Sequence, residues 1–323
     1  MYDPFVRGRF PVGVRTLQAL DAVRDRLFPC EIWYPAVAAE RDAAAESGAY
    51  PLIVYSHPSG GNRRAATFLC THLSSHGYVV AAVDHSEIVA PELARKDGET
   101  QEKKAARVEA VMANRVPDIR FLLDHLLHGR AWDSEAQLDA KKIGIVGHSF
   151  GGWTALAATE AERRIRAVVA LAPGGASKRK PGILPAKLTF AWGRDVPTLY
   201  LVAEDDVSLP LAGMYELFER TPATKHMVIL RRADHMHFMD NVEEMHETVR
   251  AMTFPGELAW IQKEMQPITE LCSGEQAHVF VRGLTQCHMD ATLRREEDAR
   301  RFLAGDIKAE LAARGVDVIA HKP

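Results

Sequence analysis

A serine flanked by glycines is the residue of this 323-residue chain whose setting most favours covalent chemistry. It lies in the pentapeptide Gly147-His148-Ser149-Phe150-Gly151, which follows the apolar run 143–146 and precedes a helix-compatible sequence. A G-x-S-x-G sequence between a strand and a helix predicts a sharp turn from which the serine hydroxyl projects. The glycines have no Cβ to obstruct such a turn. We therefore predict that Ser149 is a nucleophile.

A nucleophilic serine needs a general base, and that base needs a carboxylate to orient it. When the serine lies on a strand-to-helix turn, the acid and then the histidine follow it along the chain. The strand-like run 198–203 leads directly into Glu204, Asp205 and Asp206. The spacing from the strand to Pro210 favours Asp206 as the acid, and the other two carboxylates remain alternatives.

Two histidines follow the apolar run 227–230, at positions 235 and 237. We predict that His235 is the base, because a loop that leaves the strand there can fold back over Ser149. Phe238 can pack behind that loop. His237 remains the alternative base.

The same stretch contains several side chains of the types that bind metals. They are His235, His237, Asp240, Glu243 and His246. The stretch lacks the H-x-x-x-H spacing of zinc sites on helices, and a catalytic histidine already accounts for its first member. We predict that this chain holds neither a metal ion nor an organic cofactor.

Acyl transfer also requires hydrogen-bond donors for the oxyanion that forms on the carbonyl group. The backbone N–H of the residue after the nucleophile, Phe150, is the first predicted donor. The loop after the run 52–56 supplies the second, and Pro58 in that loop has no N–H to donate. Ser59 is therefore the preferred second donor, with Gly60 as the alternative. The predicted substrate pocket comprises His148, Trp153 and Phe238.

The elements that position these residues form a repeating pattern. Apolar strands alternate with helices from about residue 50 onward, and the strands lack the polar alternation of a half-exposed sheet. This pattern predicts an α/β fold with a doubly wound, mostly parallel sheet. The segments 11–17 and 30–34 are predicted to pair as an antiparallel edge at its N-terminal side.

Two segments exceed what such a core needs. Residues 87–115 are highly charged and lie between the second core strand and its helix, which suggests a lid-like insertion. Residues 254–323 form a C-terminal helical extension with an Arg/Glu-rich helix over about 290–314. We predict a core domain over 1–253 and an extension over 254–323 that packs on it.

The composition excludes several classes of protein. The 40 Lys+Arg and 43 Asp+Glu residues give a net charge of −3, and the longest basic run, Lys178-Arg179-Lys180, suggests a solvated loop rather than a nucleic-acid site. No stretch of about 18 apolar residues predicts a membrane span, and the N-terminus lacks the pattern of a secretory signal. Four scattered cysteines do not suggest a disulfide scaffold. We predict a cytoplasmic location, and the sequence leaves a homo-oligomer open.

The chain resembles the α/β-hydrolase fold, and within it the esterases that are similar to dienelactone hydrolase and platelet-activating-factor acetylhydrolase. Five segments of the region from about 10 to 245 carry the likeness, namely 10–15, 31–36, 56–61, 76–85 and 147–152. The resemblance implies hydrolysis of carboxylic esters through an acyl-serine. Two differences stand out, since His57 is followed by proline where the family usually has glycine, and dienelactone hydrolases use cysteine where this chain has Ser149.

We therefore expect a serine hydrolase that cleaves a small-molecule ester, with Ser149, His235 and Asp206 as its triad. An amidase, a peptidase or a thioesterase with the same triad is an alternative, because the motif does not identify the leaving group. A binding protein built on a hydrolase scaffold is the alternative from another class.

Overall fold

A nine-stranded sheet forms the centre of the computed structural model, which describes residues 2–96, 98–128, 136–254 and 256–321. The strands are β1 (Val12–Asp21), β2 (Arg26–Pro35), β3 (Gly48–Ser56), β4 (Val79–Val83), β5 (Ala136–His148), β6 (Ile165–Leu171), β7 (Thr198–Ala203), β8 (Lys225–Leu230) and β9 (Val318–His321). Their order across the sheet is β1-β2-β4-β3-β5-β6-β7-β8-β9.

The six central strands, from β4 through β3 to β8, are parallel to one another. At one edge, β1 and β2 are antiparallel, with Val12 opposite Pro35 and Asp21 opposite Arg26. At the other edge, β9 lies antiparallel to β8. The predicted mostly parallel sheet and its antiparallel N-terminal edge are confirmed. The edge strand β9 was not predicted, because only four residues form it, and its apolar run Val318-Ile319-Ala320 is too short to distinguish a strand from a loop.

Ten α-helices accompany the strands within the described ranges. They are α1 (Thr67–Ser75), α2 (Ser86–Val89), α3 (Gln101–His128), α4 (Phe150–Ala161), α5 (Leu211–Arg220), α6 (Val242–Ala251), α7 (Ile261–Glu264), α8 (Gly274–Met289), α9 (Glu297–Ala304) and α10 (Ile307–Ala312). Short 3-10 turns occupy Pro91–Leu93, His235–Phe238, Gly256–Leu258 and Ile268–Glu270.

Both faces of the sheet are buried, which explains why its strands are apolar throughout. In β3, Leu52 and Val54 contribute to one hydrophobic core, whereas Ile53 and Tyr55 contribute to the other. Alternate residues of a strand point to opposite faces. Helices α3, α4 and α5 cover the first face, and α1 and α8 cover the second.

The segment 87–115 differs from a separate lid. Its first part forms α2 and a 3-10 turn, and its second part, from residue 101, is the beginning of the long helix α3. The sequence pattern did not predict this beginning of α3, because most of its residues are charged and solvated. Only a few positions, such as Val111 and Arg115, are buried. A movable lid at 87–115 remains a prediction.

The segment 254–323 supplies α8, whose buried side chains pack against the sheet, and the edge strand β9. The single helix predicted over 290–314 is wrong. A π-helical turn over Asp290–Arg294, then α9 and α10, replace it. Arg295 adopts a left-handed conformation with φ of 60°, and Gly305 ends α9. The division of the chain into 1–253 and 254–323 remains a prediction.

Candidate active site

The turn that carries Ser149 is strained, and positions 147 and 151 leave no room for a side chain. Ser149 has φ of 57° and ψ of −116°, a conformation that L residues rarely adopt. A Cβ on Gly147 would lie 2.0 Å from the carbonyl oxygen of Gly151. A Cβ on Gly151 would lie 1.9 Å from that of Ser56 at the end of β3. The glycines therefore let α4 begin directly against β3, with the serine at the apex of the turn.

Three side chains form a continuous hydrogen-bonded chain at this turn. Oγ of Ser149 lies 2.8 Å from Nε2 of His235, and Nδ1 of His235 lies 2.6 Å from Oδ2 of Asp206. With its Nδ1–H donated to the carboxylate, the imidazole presents the Nε2 lone pair to the serine hydroxyl. The residues predicted as nucleophile, base and acid are thus brought together from three loops.

The Asp206 carboxylate is fixed by its own loop. Its Oδ1 accepts backbone N–H bonds from Ser208 at 2.9 Å and Leu209 at 2.8 Å, which leaves Oδ2 for the histidine. Burial alone lowers the pKa of His235, but the charge and hydrogen bond of Asp206 outweigh it, so the net shift of that pKa is upward. The carboxylate therefore stabilises the imidazolium form.

The two alternative acids make other contacts. The Glu204 carboxylate lies 3.3 Å from Nε of Arg231 and also accepts the backbone N–H of Arg232. Burial and the adjacent Glu204 raise the pKa of Asp205 and outweigh the opposite effect of Arg231, so its charged form is disfavoured. His235 contacts neither of them in the hydrogen bonds of the described residues.

The alternative base, His237, belongs to a separate buried cluster. Its Nδ1 lies 2.9 Å from Oδ1 of Asp234, and its Nε2–H donates to the carbonyl oxygen of Cys272 at 3.0 Å. Nδ1 of His246 lies 2.7 Å from the other oxygen of Asp234. Burial raises the pKa of Asp234, but the two histidines outweigh it and hold that pKa well below its ordinary value. The cluster anchors the loop that carries His235.

A cavity of about 920 Å³ opens above the serine. Ser149, Phe150, Ser59, Gly60 and His235 all line it. As the first residue of α4, Phe150 has a backbone N–H with no acceptor within the helix. The residues of both predicted oxyanion donors and the alternative Gly60 therefore line the same cavity as the nucleophile.

The predicted pocket residues require correction. His148 and Phe238 are fully buried and are not among the residues that line this cavity. Their rings pack together, and the ring centroid of His148 lies 4.7 Å from that of His235. Trp153 lines an adjoining cavity instead, and its indole N–H donates to the carbonyl oxygen of Lys187. The aromatic nature of these residues and their closeness in sequence to Ser149 or His235 did not distinguish residues that line the cavity from residues that pack behind it.

Sequence reasoning missed a buried arginine beneath the site. Arg115 is fully buried, and its Nη1–H donates to the carbonyl oxygen of His57 at 2.8 Å. Its guanidinium also pairs with Glu87 and lies over the ring of Phe150. The only sequence signal was its position four residues after Val111 on what proved to be the inner face of α3.

Metal-binding and membrane-spanning features are absent within the described ranges. No group of three or more His, Cys, Asp or Glu side chains there is arranged to hold a metal ion. The helices of residues 2–96, 98–128, 136–254 and 256–321 include none with the length and apolar character needed to cross a membrane.

Comparison with known proteins gives several related matches. Residues 39–197 match the chlorophyllase family model. The platelet-activating factor acetylhydrolase of Canis lupus familiaris is 32% identical over 153 aligned positions, which cover 38% of this chain and 34% of that protein. That of Cavia porcellus is 25% identical, covering 59% and 48% respectively. Cutinase est1 of Thermobifida alba is 24% identical, covering 61% and 56%.

The solved structure of a ferulic acid esterase from Streptomyces cinnamoneus aligns with a TM-score of 0.65 and 25% identity, covering 89% of this chain and 92% of that one. By contrast, the chain spans only about a third to a half of the length of these two mammalian acetylhydrolases. The structural match and the nine-stranded sheet show an α/β-hydrolase fold, and the matched proteins are named as acetylhydrolases, cutinases and an esterase. The predicted α/β-hydrolase fold is confirmed.

Proposed function

We propose that this α/β-hydrolase cleaves a small-molecule carboxylic ester through an acyl-serine intermediate. The observation that carries the proposal is the hydrogen-bonded chain from Ser149 through His235 to Asp206 at the floor of a ligand-sized cavity. The names of the relatives, which are acetylhydrolases, cutinases and a ferulic acid esterase, agree with this class of reaction.

In the first half of the reaction, Oγ of Ser149 attacks the carbonyl carbon while Nε2 of His235 accepts the hydroxyl proton. The Asp206 carboxylate stabilises the imidazolium that forms. The backbone N–H groups of Phe150 and Ser59 donate to the oxyanion, and each such donor typically lowers the barrier by about 3 kcal/mol. Collapse of the tetrahedral intermediate then expels the alcohol, which takes the proton from Nε2.

In the second half, a water molecule takes the place of the alcohol. His235 removes one of its protons, the resulting hydroxide attacks the acyl carbon, and Ser149 leaves with the proton returned from Nε2. The products are an alcohol and a carboxylic acid. No step requires a metal ion or an organic cofactor.

A fluorophosphonate probe tests whether the serine is activated. We expect stoichiometric labelling of Ser149, located by mass spectrometry of the digested protein, and no labelling of Ser149→Ala. Well-folded protein that fails to react would favour the alternative of a binding protein on a hydrolase scaffold. Ser149→Ala serves as the matched control because it removes one oxygen atom and leaves the rest of the turn in place.

Ester, anilide and thioester substrates with the same acyl group test which leaving group the protein accepts. We expect turnover of p-nitrophenyl esters and little turnover of the corresponding p-nitroanilides. Faster cleavage of the anilides or of matching thioesters would favour the amidase, peptidase or thioesterase alternatives, which share the triad. The cytoplasmic location remains a prediction.

A further inference from the structure

The cavity above Ser149 has one apolar wall. It is built mainly from segments after β6, β7 and β8, and its apolar members include Ile183, Leu184, Leu209, Met236, Ile261 and Met265. Its volume of about 920 Å³ lies within the range of sites that hold a ligand of drug size. The cavity therefore accommodates a substrate with a substantial apolar part next to the scissile bond.

Another part of the cavity lining carries positive charge. Arg95, Lys104 and Arg107, from the segment before α3 and its first two turns, all line the cavity. Arg107 is neutralised by Glu99, which accepts from its Nε at 3.0 Å. Arg95 and Lys104 are exposed, and neither forms a salt bridge with a carboxylate of the described residues, although both contribute to the lowered pKa of Glu99, whose carboxylate is bound by Arg107. These two charges are available to a ligand.

A second cavity, of about 1130 Å³, adjoins the first and extends the positive surface. The two share six lining residues, including Lys104 and Glu257. The second also contains Lys178, Arg179 and Lys187, which have no acidic partner in the described part of the chain. The basic run that suggested a solvated loop therefore lines a cavity that adjoins the one above Ser149.

Few acidic groups oppose these cations. Of the carboxylates that line the first cavity, Glu87 pairs with Arg115 and Asp234 pairs with two histidines. Only Glu109 and Glu257 remain unpaired along both cavities, within the described ranges. Five unpaired cations thus face two carboxylates, although the whole chain has a net charge of −3.

We infer that the substrate is an ester that bears an anionic group, a carboxylate or a phosphate, separated from the scissile bond by an apolar segment. This inference rests on the proposed function. A cleft lined by charge of one sign concentrates substrates of the opposite sign and speeds their association. The apolar wall binds the intervening segment, and the Lys104 side of the cavity binds the anion.

Matched probes isolate the effect of charge. The anionic series consists of p-nitrophenyl monoesters of adipic, suberic and sebacic acid, whose chain lengths vary the reach of the terminal carboxylate. The neutral series ends each chain in a carboxamide of the same shape. A third series ends in a phosphonate, and butyrate esters of ω-hydroxy acids and their amides place the charge on the alcohol side. All are used below their aggregation concentrations.

We expect kcat/KM for the best anionic probe to exceed that of its carboxamide by roughly tenfold at low salt. Comparison of the carboxylate and phosphonate series identifies which anion is preferred. In 1 M NaCl the screening length falls to about 3 Å, from about 10 Å at 0.1 M, so the preference should shrink. The double variant Lys104→Glu/Arg179→Glu should abolish or reverse the preference.

The double variant Lys141→Glu/Lys308→Glu is the matched control. It makes the same change in net charge at two exposed lysines that line neither cavity, and it should keep the wild-type preference. Equal turnover of anionic and neutral probes in every series, or equal loss of preference in both double variants, would overturn the inference while leaving the esterase proposal intact. Cleavage of no ester at all would refute both.

A rate increase for anionic probes that requires added phosphatidylserine vesicles would also contradict the inference. It would indicate that the positive surface serves a lipid membrane rather than the substrate.

Discussion

The guanidinium carbon of Arg115 lies 4.3 Å from the centroid of the Phe150 ring. The same guanidinium donates to the carbonyl oxygen of His57, two residues before Ser59. A single buried cation therefore contacts both segments that supply the proposed oxyanion donors. Glu87 balances its charge from the other side.

Replacement of this arginine should impair catalysis more than substrate binding. In Arg115→Met, we expect kcat to fall about tenfold or more with a small change in KM, because misplacement of donors by about 1 Å can cost 100-fold in rate. Steady-state kinetics on a p-nitrophenyl ester measures both. An unchanged kcat would show that the contacts to His57 and Phe150 do not position the donors.

The same variant should be less stable by about 3–5 kcal/mol, because Glu87 loses its partner. Urea unfolding measures this loss. The double variant Glu87→Gln/Arg115→Met removes the unpaired charge and should recover part of the stability, but not kcat. That difference separates the positioning of the oxyanion loop from a general loss of folding.

The acid limb of the pH–rate profile should reflect the protonation of His235. Its imidazole must be neutral to accept the serine proton, and Asp206 raises its pKa despite the opposite effect of burial. We therefore expect kcat to rise with pH through a value above the ordinary histidine pKa of about 6.5 and then to level off.

Asp206→Asn should lower kcat by about 10⁴-fold and move the acid limb to lower pH, since the amide no longer stabilises the imidazolium. Stopped-flow or steady-state rates between pH 5 and 9 test both effects, with Asp205→Asn as the matched control. A large loss in the control instead would reassign the acid to Asp205.

Substitution of His235 and substitution of His237 should have opposite effects on turnover and stability. His235→Ala should lose nearly all turnover with a small change in Tm, because its contacts serve the reaction. His237→Ala should lose stability, because it removes one histidine of the Asp234 cluster, while the folded fraction keeps its base. Tm measurements with active-site titration distinguish these outcomes, and the reverse pattern would make His237 the base.

The contribution of His237 to stability should depend on pH in a defined direction. Burial lowers its pKa, but Asp234 outweighs burial and raises the pKa to about 10. A raised pKa contributes stability that is complete below the unfolded value of about 6.5 and is lost as pH rises through about 10. The Tm difference between wild type and His237→Gln should therefore be largest near pH 6 and decrease toward pH 10.

The turn glycines should tolerate no side chain. In Gly151→Ala, the added Cβ would meet the carbonyl oxygen of Ser56 at 1.9 Å, so we expect loss of folding at 37 °C or a loss of several kcal/mol. Gly174→Ala is the matched control, since its Cβ would have no neighbour closer than 3.8 Å. Circular dichroism and urea unfolding compare them, and a stable Gly151→Ala would contradict the close contact of α4 with β3.

Local signals in the sequence were sufficient for the central strands and for the candidate triad. An apolar run such as 143–146 identifies a strand buried on both faces, and the order of Ser149, Asp206 and His235 along the chain follows from their positions after successive parallel strands. The carboxyl ends of parallel strands meet at one edge of the sheet, so residues far apart in the chain become neighbours.

Features that depend on distant partners were not predictable in this way. The burial of Arg115 depends on Glu87 in α2 and on His57 in the loop after β3. The role of His237 depends on the carbonyl oxygen of Cys272, thirty-five positions away. Strand β9 has an apolar run of only three residues, and it forms as a strand by pairing with the edge that β8 offers.

The attachment of His237 to Cys272, and of His246 to Gln266, has a consequence for protein synthesis. A nascent chain that has reached Phe238 already contains Ser149, Asp206 and His235, but the segment that holds the histidine loop has not yet been translated. We expect ribosome-bound intermediates of that length to have no esterase activity. Activity should be measurable only after the later residues have left the exit tunnel.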